Sequence, residues 1–181
     1  RAKMISDYFD EIEVIRQNRE INTFTGTYKG KRLTVMSTGM GPDNVEIVVN
    51  ELDALFNINF KTRTAKENKT SLNLIRIGTS GALQADIPVI KSYVVSEYAL
   101  GLDGLAYFYE DGPHVIIDDM TDSFIEKMKW DERLPRPYAI KGSEYLLEKL
   151  AFDWRKGITL TAPGFYAPQG RELRLKVHDN T

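Results

Sequence analysis

The run Leu74-Ile75-Arg76-Ile77-Gly78-Thr79-Ser80-Gly81 places a guanidinium next to two hydroxyls and two glycines. Gly78 and Gly81 let backbone N–H groups approach an oxyanion closely, and Thr79 and Ser80 add hydroxyl donors. Arg76 interrupts the apolar sequence of Leu72, Leu74, Ile75 and Ile77, which predicts a strand carrying a buried cation. Such a cation needs an anionic partner, because burying it alone is very costly. Phosphate suits this donor set. An ordinary strand end whose Arg76 pairs with a nearby carboxylate would use the same residues, so the run by itself leaves both readings open.

A second chemical run follows much later, at Thr161-Ala162-Pro163-Gly164-Phe165-Tyr166-Ala167-Pro168-Gln169-Gly170-Arg171. The alternation of Ile158, Leu160 and Ala162 predicts a strand over 157–162 that delivers a loop shaped by Gly and Pro. A flat heteroaromatic ring fits the side chains this loop presents. Phe165 or Tyr166 can stack on a base, the Gln169 amide offers an acceptor beside donors, and Arg171 brings a fixed fork of N–H groups for a carbonyl. A surface loop whose aromatics pack into a core is the alternative reading of the same residues.

With both runs in view, the sequence resembles the nucleoside phosphorylase family that includes uridine phosphorylases and hexameric purine nucleoside phosphorylases. Ser37-Thr38-Gly39-Met40-Gly41-Pro42, followed by the helical Val45-Glu46-Ile47-Val48-Val49-Asn50-Glu51-Leu52, is similar to the family's strand, Gly loop and helix. Asn18-Arg19-Glu20 before the first hairpin adds to the likeness. The Phe-Tyr-x-x-Gln-x-Arg arrangement resembles the uracil-reading loop of the uridine enzymes.

The resemblance implies roles. Gln169 would face the pyrimidine O2 and N3–H, Arg171 would face O4, and Phe165 would pack on base or sugar. Arg76 and Thr79 match phosphate ligands, with Thr79, Ser80 and Gly81 also towards the nucleoside. Arg1 resembles the Arg that closes the family's Gly-Asp-Pro-x-Arg segment, another phosphate contact. Arg19 corresponds to an Arg that reaches the phosphate of an adjacent subunit, so a homo-oligomer, a dimer or a trimer of dimers, is expected. Glu20 matches a potassium ligand between subunits, although Asp43 stands where the usual pattern has Ser and the loop is one Gly shorter. No cofactor is expected, and inorganic phosphate is the co-substrate. The implied reaction is phosphorolysis of uridine. A purine nucleoside phosphorylase, a nucleosidase of the same fold and a non-catalytic nucleoside-binding relative are the alternatives.

Composition narrows the classes. The chain has 181 residues, 42% hydrophobic, with a formal net charge of −2. It can bury one sizeable core and carries no basic footprint for nucleic acid. There are no cysteines, so disulfides and thiolate chemistry are excluded. No apolar stretch approaches the ~20 residues that span a bilayer, and a cytoplasmic protein is expected. A single domain over 1–181 is expected, lacking its extreme N-terminus and the C-terminal third in which the family holds the ribose hydroxyls. His114 and His178 have no matching ligand spacing for zinc. Asp118-Asp119 reads as a solvated loop pair rather than a divalent-ion site.

The elements that must position these groups alternate along the chain. Met4, Ile5, Tyr8 and Phe9 share a helical face, and 12–15 begins extended structure. Runs 23–28 and 33–37 predict a hairpin across Lys29-Gly30-Lys31. The Gly loop at 39–42 opens a helix with Val45, Val48, Val49 and Leu52 towards a sheet. Residues 63–71 read as a polar surface excursion. Tyr93-Val94-Val95 predicts a short buried strand continuing over 99–105. Patterning fades over 106–137, where only 124–128 suggests a helix. Ser143 starts a helix containing Tyr145, Leu146, Leu147 and Leu150. The resulting expectation is an α/β fold, a three-layer αβα arrangement around a central mixed β-sheet, nucleoside phosphorylase-like.

Overall fold

The structure is a computed structural model that describes residues 1–177, so His178 lies outside the described residues. The chain divides into two compact units, Arg1–Thr70 and Ser71–Thr181.

In the first unit, helix α1 (Ala2–Ser6) precedes three strands, β1 (Glu11–Asn18), β2 (Ile21–Tyr28) and β3 (Lys31–Met36), paired antiparallel in that order. The β2–β3 hairpin forms where expected. Lys29 and Gly30 both take positive φ, 48° and 73°, the mirror-image turn whose twist matches paired strands. Across the pair, the Thr25 and Thr34 hydroxyls meet at 2.9 Å. The α1 helix differs from its expectation: it buries the small residues Ala2 and Ser6, while Met4 and Tyr8 are exposed. Only one turn is helical, so the four-residue apolar face never forms. Phe9 instead lies beside Gly26, in the space a side chain there would fill.

Helix α2 (Pro42–Asn57) follows the Gly loop, with Pro42 in its first turn and Asp43 favourably placed near its positive end. Val48 is buried and Val45 and Leu52 are half-buried, as the periodicity requires, whereas Val49, expected on the same face, is exposed. Buried Asn57 ends it. Its amide donates to Asp53 Oδ1 (2.6 Å) and Thr70 O (3.2 Å) and accepts from Thr70 N (2.7 Å). These bonds close the polar excursion, which holds two short strands, β4 (Ile58–Asn59) and β5 (Thr64–Ala65).

The second unit is built on β6 (Val94–Gly101), flanked by β7 (Tyr138–Lys141) and β8 (Arg155–Thr161) in the order β7-β6-β8. The β6–β7 pair is antiparallel and the β6–β8 pair parallel, so this sheet is mixed. Helices α3 (Asp118–Met128) and α4 (Glu144–Leu150) lie in the connections. Ser143 caps α4 as expected, its Oγ accepting from Leu146 N at 3.4 Å. Leu100, Leu102 and Ala139 are the buried centre, covered by Ile117, Met120, Phe124, Trp130 and Ala162.

Strand β6 is continuous over 94–101, so Tyr93, expected in a buried strand, lies outside it and is exposed, and the extended backbone expected to 105 ends at Gly101. Two larger expectations also fail here. The strand expected at 72–77 is absent: residues 71–82 form no regular element, and Leu74, Ile75 and Ile77 are 47%, 60% and 62% exposed. An apolar run becomes a strand only when a neighbour accepts its ladder bonds and covers one face, and among the described residues no strand pairs with it. The patternless stretch 106–137 is the reverse case. It contains 3-10 turns at Leu105–Phe108 and Gly112–Val115, and the whole of α3. Asp118 and Asp119 are not a loop pair but the acidic first turn of α3, where the helix dipole favours them.

Candidate functional site

Strands β6 and β8 run parallel and end together, with Leu102 N donating to Thr161 O at 2.9 Å. In α/β sheets the crevice outside the carboxyl ends of parallel strands is the usual ligand position. The loop over 162–171 leaves from that end. Gly164 is required there, since a Cβ would stand 2.9 Å from Pro168 Cγ. The loop closes on the Tyr166 carbonyl, which accepts from Gln169 N (2.9 Å) and Arg171 N (3.0 Å).

The loop brings together the side chains that the sequence singled out. Gln169 Nε2 donates to Gly164 O at 3.0 Å, and Arg171 Nη1 donates to Phe165 O at 3.0 Å. The Arg171 guanidinium also lies 4.1 Å from the Phe165 ring centroid, and Phe165 meets Tyr166 edge to face at 5.4 Å. Both aromatics are exposed, at 63% and 55%, which removes the alternative that they are core residues. In this state one face of Phe165 is covered by Arg171, so the loop presents an amide oxygen and a guanidinium around an aromatic platform.

Arg76 is exposed, not buried. Its guanidinium folds back over the turn, with Nη1 3.0 Å from where a Gly78 Cβ would sit. Among the described residues no carboxylate forms an ion pair with it. Among the described residues the cation thus lies beside Gly78 of the Gly-Thr-Ser-Gly run. Thr79, Ser80 and Gly81 are exposed around it. Further along, Arg155 Nη2 pairs with Asp86 Oδ2 at 2.6 Å, and this bond holds the Asp86 carboxyl below its ordinary range. The pair fastens the segment after Gly81 to the amino end of β8, whereas the loop over 162–171 leaves the other end.

The remaining candidates belong to the first unit. Arg1 opens α1. Arg19 and Glu20 form the tight β1–β2 turn between paired Asn18 and Ile21, with Arg19 at φ 51°, a left-handed conformation unusual for arginine. Glu20 lies next to the Gly loop: its Cγ is 3.3 Å from a Cβ built at Gly39, and its carbonyl accepts from Ser37 Oγ at 2.8 Å. Among the described residues no group of three His, Cys, Asp or Glu could hold a metal. One Glu20 carboxylate is too few oxygens for potassium within a single copy. His114 is exposed in its 3-10 turn.

One group was not singled out by the sequence. Tyr138 Oη donates to Asp103 Oδ1 at 2.8 Å at the carboxyl end of β6, with the Tyr107 ring edge-on at 6.1 Å. The available signal was Leu102-Asp103-Gly104 directly after a strand.

The chain superposes with a TM-score of 0.77 and 29% identity on the crystal structure of a Trypanosoma brucei nucleoside phosphorylase that shows uridine phosphorylase activity, covering 96% of this chain and 63% of that one. A uridine phosphorylase of Vibrio fischeri shares the fold at a TM-score of 0.54 and 24% identity, over 91% of this chain and 55% of that one. A DeoD-type purine nucleoside phosphorylase of Listeria welshimeri is 38% identical over 100 residues, 55% of this chain and 37% of the relative. The chain thus spans well under two thirds of that relative's length. Among the described residues no helix is long and apolar enough to cross a membrane. The fold is the α/β nucleoside phosphorylase fold, and the phosphorylase superfamily's sequence profile matches residues 1–180, across both units. The chain belongs to the phosphorylase superfamily.

Proposed function

We propose that this chain carries the phosphate and base-reading parts of a uridine phosphorylase, a pentosyltransferase that converts uridine and phosphate reversibly to uracil and ribose 1-phosphate. The observation that carries this reading is the folded loop holding Phe165, Gln169 and Arg171 together at the carboxyl end of β8. Similarity to the Trypanosoma brucei enzyme supports it.

In the reaction the C1′–N1 bond breaks with its electron pair going to uracil, and a phosphate oxygen bonds to C1′. Both demands are electrostatic and positional. Arg76, Thr79, Arg1 and a second copy's Arg19 orient the phosphate below the sugar, and the phosphate charge stabilises the cationic ribosyl group. Gln169 and Arg171 stabilise the charge gathering on uracil O2 and O4, so no separate general acid is needed. Ser80 and Gly81 line the nucleoside side. The reading entails a homo-oligomer, because Arg19 acts in trans, and a cytoplasmic site of action. A potassium ion at Glu20 belongs to it only where a second copy supplies further oxygens.

A second reading, purine nucleoside phosphorylase, is favoured by the 38% identity with DeoD-type relatives. The deciding experiment is release of free base from uridine, inosine and cytidine by the full-length protein, with and without phosphate. Phosphate-dependent release from uridine alone is expected. Release from inosine instead moves the chain to the purine reading, and release without phosphate removes phosphorolysis.

A further inference from the structure

Gly101 is the last residue of β6 and pairs with Tyr138 on one side and Thr161 on the other. Its missing side chain is replaced by the Tyr138 ring: a Cβ at 101 would stand 2.3 Å from Tyr138 Cζ and 2.6 Å from its oxygen. The ring therefore lies across the strand end, in the space that a side chain at 101 would take. From there the phenol reaches Asp103 Oδ1 (2.8 Å), and the same oxygen accepts from Leu105 N at 2.8 Å. Tyr107 stands edge-on to Tyr138 and donates from its own hydroxyl to Pro137 O at 2.9 Å.

This cluster adjoins the root of the base loop. Leu102 N, one residue beyond Gly101, donates to Thr161 O, and Ala162 packs on Leu100, Leu102 and Ala139. Where Ala162 sits fixes the direction in which residues 163–171 depart. We propose that Tyr138 and Asp103 form a positioning clamp that sets the base loop, and through it affinity for the nucleoside base. The inference rests on the base-reading role given above to Gln169 and Arg171. Burial, and then the bond to Asp103, push the Tyr138 phenol upward, so it stays a neutral donor through the working pH range.

The test compares Tyr138→Phe, Asp103→Ala and Asp103→Asn in the full-length protein. Phenylalanine keeps the ring over Gly101 and removes only the hydrogen bond, whereas asparagine retains an acceptor oxygen. Tyr138→Phe is expected to raise the nucleoside KM about three- to tenfold, the scale of one lost hydrogen bond, Asp103→Ala to raise it at least as much because Leu105 N also loses its acceptor, and both to leave the phosphate KM unchanged. Asp103→Asn should restore most of the affinity, and the effect should be flat between pH 6 and 9. A purely structural role would move the melting temperature without separating the two KM values. Equal shifts in both constants, or none, overturn the proposal.

The outcome is separable from the uridine reading. If wild-type protein cleaves inosine rather than uridine, the same comparison is made with inosine. If it cleaves neither, backbone amide exchange of the 162–171 peptide decides. Faster exchange in Tyr138→Phe than in wild type supports the clamp, and equal exchange overturns it.

Discussion

The base loop over 163–171 and the run over 74–81 are built from the same vocabulary: glycine, a hydroxyl or amide, and one arginine. Only the first carries its own order. It follows a paired strand, and the carbonyls of Gly164, Phe165 and Tyr166 give its polar groups local acceptors. The second follows an apolar stretch that has no strand partner among the described residues, and its guanidinium rests over Gly78 with no carboxylate paired to it among them. Fixing one residue's backbone costs about 1–2 kcal/mol, so a loop already folded meets its ligand at smaller entropic cost than a run without regular structure. On the proposed reading, base recognition would accordingly be pre-formed, and phosphate itself would have to supply order to its own side of the site.

The largest expected effect breaks the pre-formed side. Gln169→Ala removes the groups that would distinguish an N3–H from a ring acceptor, and discrimination of uridine over cytidine should fall by about 10² or more. Ratios of kcat/KM for the two nucleosides measure it directly. Unchanged selectivity would reduce the base loop to a surface turn.

Next comes the other side. Arg76→Ala deletes one charge-assisted contact worth about 1.5–3 kcal/mol, equivalent to roughly 10- to 150-fold in kcat/KM for phosphate. Since Arg76 is exposed and makes no ion pair among the described residues, the melting temperature should stay within a degree or so. A large drop in melting temperature would show that the arginine supports the fold instead.

The two regions also differ in how legible they were. The strand and loop that carry Gln169 were readable because alternation, Gly and Pro are local signals, and local bonds hold them in the structure. So were the β2–β3 turn and the Ser143 cap, each determined within a few residues. The residues before Arg76 carry an equally good strand pattern, but a strand is a relation to a neighbour and no pattern within one segment reveals whether the neighbour exists. In α3 only 124–128 carries a helical pattern, and Asp118 and Asp119 read as a solvated loop pair although two acidic residues suit a helix first turn equally well. The Tyr138–Asp103 bond spans 35 positions and has no local signature at all.

A matched pair of substitutions sharpens the contrast. Gly164→Ala places a methyl 2.9 Å from Pro168, whereas Gly81→Ala meets nothing within 4 Å. Overpacking of this kind costs about 1 kcal/mol or more, so Gly164→Ala should raise the uridine KM about fivefold by distorting the base loop. Gly81→Ala should leave the melting temperature where it was. If the two variants behave alike in stability and uridine binding, the claimed difference in order between the regions does not exist.

The smallest effect tests whether strain is kept for function in a third place. Arg19 occupies a left-handed turn position at φ 51° that glycine adopts freely, and a non-glycine residue there costs about 1–2 kcal/mol. Part of that relief is offset by the greater freedom of glycine in the unfolded chain, so Arg19→Gly should stabilise the protein by only about 0.5 kcal/mol, visible as a small rise in melting temperature. The same variant should use phosphate less well once assembled, with uridine binding little changed. A rise in stability joined to a loss of phosphate use means that the arginine is retained against its local conformational preference for the sake of the anion. A rise in stability with phosphate kinetics intact means that the turn merely tolerates it, and the shared site loses its trans cation.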